Sequence, residues 1–299
     1  MVERLSFEDE ISKNKIKSFF LVIVVITFFL LLGFIIALIA NPGYFFIIMI
    51  FSIIISISYT LFSYYNAEKI AIASVNAKLA SPTRDKILFN AVENMSLASG
   101  LPMPKVYIMK SDRINAFASG RDPKHAIICV TTGALEKLEK EELEGVIAHE
   151  MSHIANFDVR FMTLTAVLVG LVSILAELFL RSLWFSSDDD RKGGGLLIIL
   201  GIIFAIIAPI AAQLVSLAIS RRREFTADAT GVKFTRYPPG LRNALIKIKK
   251  ENEPSQEDRK RYPKAMAPLF ISDPFKSRIK NIFSTHPSID ERIKILERM

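Results

Sequence analysis

The chain has 299 residues, of which 51% are hydrophobic, and its formal net charge is +8. The mean hydropathy of +0.34 favours one soluble domain combined with membrane spans over two soluble domains, because the apolar residues are concentrated in blocks. Lysine and arginine residues cluster beside these blocks, as the positive-inside rule describes, so the charge does not indicate nucleic-acid binding. Cys129 is the single cysteine, which excludes an intramolecular disulfide and a thiolate metal cluster.

Four long apolar segments predict transmembrane helices that form two hairpins. The first hairpin belongs to an N-terminal region, 1–63, and turns at Asn41-Pro42-Gly43, whereas the second occupies 161–219 and turns in a polar, glycine-containing loop. Runs of ~20 apolar residues are long enough to cross a hydrocarbon layer of ~30 Å. For the second hairpin, a partly buried pair of amphipathic helices is the alternative. The predicted spans are, in chain order, about 19–40, 44–62, 161–185 and 196–219.

The charges that flank the spans predict the orientation of the chain. Three lysines precede the first span and three arginines follow the fourth, whereas the turn of each hairpin carries no net positive charge. The positive-inside rule therefore places both flanking regions, and the segment between the hairpins, in the cytoplasm. The sequence predicts a multi-pass protein of the cell membrane with one cytoplasmic domain, which is built from two parts, 64–160 and 220–299.

These two parts predict a mainly helical domain with a small β-sheet, so that the whole chain is an α+β integral membrane protein. Apolar and β-branched runs in the first part predict strands, and periodic apolar segments beside them predict helices. In the second part, the last helix begins with a Ser288-x-x-Glu291 capping box. The predicted elements are helices 67–80 and 86–99, strands 105–109, 114–118 and 126–130, a helix from Glu141, and a helix at 288–298.

The helix that begins near Glu141 carries His149-Glu150-Met151-Ser152-His153, an H-E-x-x-H motif. Residues four apart lie on one face of a helix, so the two imidazoles can reach one metal ion. Glu150 projects beside them, where it could hold and deprotonate a water. The motif is typical of a hydrolytic, zincin-like metal centre. Because an apolar block follows it directly, it indicates a protease that acts on membrane-proximal polypeptide.

Catalytic zinc usually takes three protein ligands and a water, so a third ligand is expected on another element. Glu224 and Asp228 form an E-x-x-x-D pattern just after the fourth span and share a helix face. We predict that Glu224 ligates the ion and that Asp228 accepts the second N–H of a ligating histidine. A bundle of the predicted spans would hold both motif helices side by side. The alternative is that both residues are surface acids that balance the charge of the neighbouring arginines.

With these motifs, the chain resembles the HtpX-type membrane-integrated zinc metalloproteases, gluzincins that are related to the CAAX prenyl proteases. The resemblance covers most of the chain and implies one zinc ion per chain. It also implies a cytoplasm-facing endopeptidase that degrades damaged or misfolded membrane proteins under stress. The CAAX enzymes are longer and have more spans, which argues against prenyl-protein cleavage. The matching residues are His149-Glu150-x-x-His153 with Asn156 and Asp158, Ser220-Arg221-x-Arg223-Glu224-Phe225-x-Ala227-Asp228, Asn115-Ala116-Phe117-Ala118, and Thr285-His286-Pro287.

The resemblance suggests roles for three further sites. His286 is the expected donor to the oxyanion, because the family's His-Pro motif lies there, and a cap of the last helix is the alternative. Residues Asn115 to Ala118 are expected to form an edge strand along the cleft, to which a substrate segment adds, unless the strand is internal to the sheet. Asp158 is expected either to tie the motif helix to the second soluble segment or to be a plain helix-end acid.

The predicted function is zinc-dependent cleavage of polypeptides, with the ion held by His149, His153 and Glu224 and with Glu150 as base and then acid. Expected partners are polypeptide substrates, membrane proteins among them, and the lipid bilayer; the oligomeric state is not predicted. A non-catalytic membrane scaffold or chaperone is disfavoured because every motif residue is present. A transporter or receptor is disfavoured because the spans are almost entirely aliphatic or aromatic.

Overall fold

Two long helices begin the chain. The computed structural model describes residues 7–39, 42–166, 221–251, 266, 269–272 and 287–299. In it, α1 (Phe7–Ile39) and α2 (Phe45–Ser74) flank a short 3-10 turn at Pro42–Tyr44. Within the described residues, two segments are long and apolar enough to cross a membrane, Asn14–Leu38 and Pro42–Ser74. Only 22% and 11% of their apolar windows are buried, which distinguishes them from the core helices of a soluble protein.

The contact between α1 and α2 combines small side chains with aromatic pairs, such as Phe29 and Tyr59, whose ring centroids are 5.6 Å apart. Gly33 of α1 lies so close to Ser52 that a methyl group there would overlap the Ser52 hydroxyl. Small residues let membrane helices approach closely. Other large side chains face outward, such as Phe46, which is 77% exposed. The buried residues of α2 repeat every three or four positions along one face: Ser56, Thr60, Ser63, Ala67 and Ala71.

The second predicted hairpin lies almost entirely outside the described residues, in 167–220. Of its first predicted span, only residues 161–166 are described, and they are helical. His286 lies outside the described residues as well. The third and fourth spans therefore stay predictions.

A small mixed sheet covers one side of the domain. Numbered along the chain, its strands β1 (Lys78–Leu79), β2 (Lys105–Met109), β3 (Ala116–Gly120) and β4 (Ala126–Thr131) have the order β1-β2-β4-β3 in the described part of the chain, with β2 and β4 parallel and the other pairs antiparallel. The third strand begins two residues later than predicted, because side chains of Glu251 and Thr131 take the N–H groups of Ile114 and Asn115.

The helix that was predicted to reach Ala80 ends at Ser74 instead. Asn76 has a φ of 51°, in the left-handed region that interrupts a helix and that asparagine tolerates. The chain then turns, and Lys78 and Leu79 pair with β2. The prediction was wrong because apolar periodicity cannot reveal a partner strand that is distant in the sequence.

The motif helix, α5, lies at the centre of the domain. A capping box between Glu139 and Glu142 begins it. It packs against β3 and β4 on one side and against the helices at Lys86–Ser99, Arg221–Thr235 and Pro238–Lys250 on the other, so residues 145–155 are all buried. The described domain is thus mainly helical with a small sheet, as predicted. Its helices are α3 (Lys86–Ser99), α4 (Thr132–Lys137), α5 (Lys140–Ala155), α6 (Arg221–Thr235), α7 (Pro238–Lys250) and α8 (Ile289–Leu296).

Candidate metal centre

Two histidines of α5 lie together in the interior. His149 and His153 are four residues apart, so the helix places both side chains on one face. Their ring centroids are 4.8 Å apart, and the rings are close to perpendicular. His149 is 0% exposed and His153 is 3% exposed. Buried imidazoles need partners for both ring nitrogens, and the neighbouring elements supply them.

Glu224 reaches the two histidines from α6. Its Oε2 lies 3.6 Å from His149 Nε2, and its Oε1 lies 3.8 Å from His153 Nε2. One possible ligand atom from each of the three residues lies within 4.8 Å of the other two. Gly231, about two turns further along α6, permits this approach, because a Cβ atom there would lie 3.0 Å from the His149 backbone nitrogen.

The three residues fit a metal ion with the chemistry of zinc. Two imidazole nitrogens and one carboxylate oxygen are the donor set of many catalytic zinc sites. Tetrahedral zinc holds its nitrogen and oxygen ligand atoms ~3.3 Å apart, given bond lengths of ~2.0–2.1 Å. The observed separations of 3.6 Å and 3.8 Å are slightly larger. These two distances end on different oxygens of Glu224, and the ligand atoms of the three residues all lie within 4.8 Å of one another, so the site would contract around an ion.

Each histidine is oriented by a carboxylate on its other nitrogen. Asp228 Oδ1 lies 2.9 Å from His149 Nδ1, and Asp158 Oδ2 lies 3.0 Å from His153 Nδ1. These contacts fix Nδ1 as the donor and leave Nε2 of each ring directed towards Glu224. Asp228 has the contact that the sequence predicted for it.

Asp158 has a partner that the sequence did not indicate. Besides His153, its carboxylate accepts a hydrogen bond from Asn14 Nδ2 of α1, at 2.6 Å. Among the described residues, none of its hydrogen bonds goes to the second soluble segment. Asp158 follows Phe157, whose φ of 58° turns the chain at the end of α5. The residue thus connects the motif helix with the first membrane helix.

A buried arginine on α8 is a second residue that the sequence reasoning missed. Arg292 is 2% exposed and donates to both oxygens of Asp228, at 2.8 Å from Nε and 2.6 Å from Nη2. Its Nη1 lies 3.4 Å from Glu224 Oε2. The available signal was its position in the apolar stripe of α8, between Ile289 and Leu296, where a charged residue needs a buried partner.

Glu150 is buried beside the cluster and is 1% exposed. Neither of its carboxylate oxygens has a well-formed hydrogen bond within the described part of the chain. Burial, together with the charge of Glu224, raises the pKa of Glu150 to about 7, although His153 and the Ala118 backbone N–H act in the opposite direction. A buried carboxyl group with this pKa can change its protonation state near neutral pH.

The two histidines differ in their affinity for a proton. Burial and the charge of Arg292 lower the pKa of His149. Burial also acts to lower the pKa of His153, but the hydrogen bond to Asp158 and the charge of Glu224 outweigh it and raise the pKa to about 9. In the metal-free site, His149 is therefore neutral at pH 7 and His153 is protonated.

Residues Asn115 to Ala118 lie at the end of the strand order, on and just before β3, beside α5. The outer edge of this strand already has contacts within the chain. The N–H of Ile271 donates to the Ala116 carbonyl at 3.0 Å, and the Asn115 side chain forms two hydrogen bonds with the Ser272 backbone. The Phe270 ring packs edge-on against Phe117. Segment 270–272 thus pairs with the edge in the manner that was predicted for a substrate.

Comparisons with known proteins identify the family of the chain. The model of peptidase family M48 matches residues 82–299. The chain is 45% identical over 257 residues to a protease HtpX homolog of Caldanaerobacter subterraneus subsp. tengcongensis, with 84% of each chain covered. It is 40% identical over 296 residues to a protease HtpX homolog of Dictyoglomus thermophilum, with 98% of this chain and 95% of the relative covered.

Among solved structures, Ste24p from S. mikatae aligns with a TM-score of 0.48 and 19% identity, covering 95% of this chain and 65% of that chain. At this score the likeness supports no further conclusion. The family match and the HtpX relatives each cover most of the chain. Sequence identities of 45% and 40% over this length are high enough to show family membership. The chain therefore belongs to peptidase family M48, and it is a membrane-bound metalloprotease of the HtpX type.

Proposed function

We propose that the chain is a zinc-dependent endopeptidase that cleaves damaged or misfolded membrane proteins at the cytoplasmic face of the cell membrane. The observation that carries the proposal is the buried group of His149, His153 and Glu224, with the Glu150 carboxyl group beside it. Burying four titratable side chains destabilises the fold, and a scaffold or chaperone has no function for such a group. The arrangement therefore favours catalysis over a non-catalytic role.

The roles of the side chains follow from their positions. A zinc ion held by the two histidines and Glu224 would supply Lewis acidity and lower the pKa of a water to ~7. Glu150, with its pKa raised to about 7, is suited to take a proton from the attacking water and return it to the leaving amine. Asp228 and Asp158 hold the imidazoles in position. His286 remains the proposed donor to the oxyanion.

Substrate binding is proposed at the edge strand, residues Asn115 to Ala118. A substrate segment that adds to this strand would use main-chain hydrogen bonds, which suit many sequences. Its backbone would need the Ala116 carbonyl, to which Ile271 now donates. Substrate pairing at this edge therefore requires segment 270–272 to move aside.

The membrane arrangement is proposed to have four spans, in the N-terminal region 1–63 and the hairpin 161–219, with the catalytic domain formed by 64–160 and 220–299 in the cytoplasm. Three observations support it. The outer faces of α1 and α2 expose large apolar side chains. The motif helices α5 and α6 pack against each other, and the third and fourth predicted spans adjoin them in the sequence. The flanking lysines and arginines follow the positive-inside rule.

The proposal is tested with the detergent-purified chain and an unfolded model protein, with and without added zinc. Glu150→Gln should keep its zinc and lose cleavage by at least ~100-fold, because a general base contributes ~10²–10⁴-fold. The control is Glu141→Gln, at an exposed position of the same helix, which should cleave at the wild-type rate. Wild-type cleavage by Glu150→Gln would exclude Glu150 as the base, and a wild-type chain that binds no zinc would contradict the metal site.

A further inference from the structure

The first membrane helix places one polar side chain against the metal centre. Asn14 is 1% exposed, and it is the first residue of the apolar segment Asn14–Leu38. We propose that Asn14 is a positioning residue of the active site, which holds Asp158 and through it the orientation of His153. The inference rests on the proposed function, because it assumes that His153 is a zinc ligand.

The contacts form a continuous path from α1 to the ring of His153. Asn14 Nδ2 donates to Asp158 Oδ1 at 2.6 Å and to the backbone carbonyl of Asn156 at 3.1 Å. The other oxygen of Asp158, Oδ2, lies 3.0 Å from His153 Nδ1. One amide group therefore fixes both the carboxylate and the turn that carries it. The direction of the Asp158 carboxylate decides where the Nε2 atom of His153 points.

The docking of α1 on this turn does not depend on Asn14 alone. The ammonium group of Lys15 lies 4.8 Å from the centre of the Phe157 ring. Two to four turns further along α1, apolar side chains form a buried cluster with the helix that follows Asp158. The members of that cluster are Leu21, Val25, Phe29, Phe161 and Leu164. The membrane helix thus packs along the segment that leaves the active site, and Asn14 is the polar contact at its inner end.

An asparagine suits this position for an electrostatic reason. Asp158 is 1% exposed, so both of its oxygens need a donor, and His153 satisfies one. An amide satisfies the other oxygen without adding charge, so the full negative charge of Asp158 still acts on His153. A lysine would neutralise that charge, and an aliphatic side chain would leave a buried carboxylate oxygen without a partner.

The test compares Asn14→Leu with Ser18→Ala in the whole 299-residue chain. Leucine has a similar size but cannot donate a hydrogen bond. Ser18 is buried one turn further along α1, and within the described residues its hydroxyl bonds to the Asn14 carbonyl of the same helix. Zinc affinity is measured by competition with a chelator, and the Tm of the metal-free protein is measured in parallel. We expect Asn14→Leu to weaken zinc binding about tenfold, at the lower end of the range for outer contacts of metal ligands, and Ser18→Ala to change it less than about twofold.

A role through imidazole orientation has two further signatures. The visible absorption of the cobalt-substituted protein should change in Asn14→Leu and not in Ser18→Ala, because it reports ligand geometry. In an Asp158→Ala background, Asn14→Leu should cause little further loss of zinc affinity, since the carboxylate that links Asn14 to His153 is then missing and only the contact with the Asn156 carbonyl is left. A second tenfold loss in that background would overturn the proposal, as would equal effects of the two single variants.

The outcomes separate this inference from the proposed function. A wild-type chain that binds no zinc contradicts the proposed function itself. A wild-type chain that binds zinc, together with Asn14→Leu binding it equally well, contradicts only the role of Asn14. Should Asn14→Leu fail to fold, Asn14→Ser is read in the same way, because its hydroxyl is too short to reach Asp158.

Discussion

The two histidines of the metal centre are held from opposite ends of the chain. His149 contacts Asp228, which is bound by the guanidinium group of Arg292, and both of these residues lie after the second predicted hairpin. His153 contacts Asp158, which is bound by the amide of Asn14 in the first helix. The first contact is the same on both sides, a carboxylate on Nδ1, but its support is a cation on one side and a neutral amide on the other.

This difference accounts for the opposite protonation of the two rings. Arg292 compensates the charge of Asp228, so burial dominates and the pKa of His149 is lowered. The charge of Asp158 is not compensated by Asn14, and the pKa of His153 is raised to about 9. One proposed ligand is therefore ready to bind a metal at neutral pH, and the other must first release a proton. The second contact of each carboxylate contributes to this difference, together with the charge of Glu224, which raises the pKa of His153, and the charge of Arg292, which acts on His149 directly.

The largest expected effect comes from removing the cation on the His149 side. Arg292→Met keeps most of the side-chain volume but leaves the buried Asp228 carboxylate without its bidentate partner. Arg292 holds the pKa of Asp228 at about 2, so this charge is present throughout the neutral range and its interaction is lost only as pH falls through about 2. Breaking a buried pair by removing one partner costs ~3–5 kcal/mol. We expect a loss of that size in the unfolding free energy of the metal-free protein.

The control for Arg292→Met is Lys294→Met, at an exposed position of the same helix. It should leave the unfolding free energy unchanged. Arg292→Met should also raise the pKa of His149, so that the His149 side comes to resemble the His153 side. If both variants unfold at the same denaturant concentration, the ion pair does not stabilise the His149 side.

The dependence of zinc binding on pH tests the difference in protonation between His149 and His153. In the metal-free protein, protonated His153 stabilises the fold; this contribution is fully present below pH 6.5 and is lost as pH rises through about 9. Zinc must displace that proton, and this step alone should raise apparent zinc affinity by up to about tenfold per pH unit until about pH 9. At pH 8, where Glu150 is largely ionised, binding should release close to one proton from His153, and ionisation of the zinc-bound water should add up to about one more. Calorimetric titration in two buffers of different ionisation enthalpy measures this number.

The matched variants for the pH experiment are Asp158→Asn and Asp228→Asn. Each should weaken zinc binding by about 10–100-fold, as expected for a contact that orients a ligating histidine. Only Asp158→Asn should also reduce the proton release at pH 8, because only His153 depends on its carboxylate for a raised pKa. Equal proton release by both variants would mean that the two sides do not differ in the way described.

The parts of the centre that could be predicted from the sequence are those fixed by local geometry. Helical spacing alone places His149 and His153 on one face, and the same spacing places Glu224 and Asp228 on another helix. Only the pairing of the two helices needed a further argument, from the apolar segments that adjoin them. The first two helices were predictable for a similar reason, since their long apolar runs are local features.

The supporting contacts could not be predicted because they join residues that are distant in the sequence. Nothing near Asn14 distinguishes it from an ordinary polar residue at the start of a span, and its partner Asp158 lies after the motif. Arg292 carried a weak signal in the apolar stripe of α8, but its partner could not be inferred from that stripe. The pairing of segment 270–272 with β3 depends on strand edges that exist only in the folded chain.

The smallest expected effect concerns the close approach of α6 to the His149 side. At Gly231 a methyl group would lie 3.0 Å from the His149 backbone nitrogen and 3.2 Å from the Ala148 carbonyl carbon, so Gly231→Ala should shift α6 by a few tenths of an ångström. Alanine favours the helix by ~1 kcal/mol over glycine, which should offset most of this strain in the metal-free protein. The shift moves Glu224 relative to His149, however, so zinc affinity should fall by about threefold while the unfolding free energy stays nearly constant. Ala229→Ser, at an exposed position of the same helix, is the control. A gain in stability with unchanged zinc affinity would mean that α6 accommodates the methyl group without moving. Contact between α5 and α6 at Gly231 would then not set the position of Glu224.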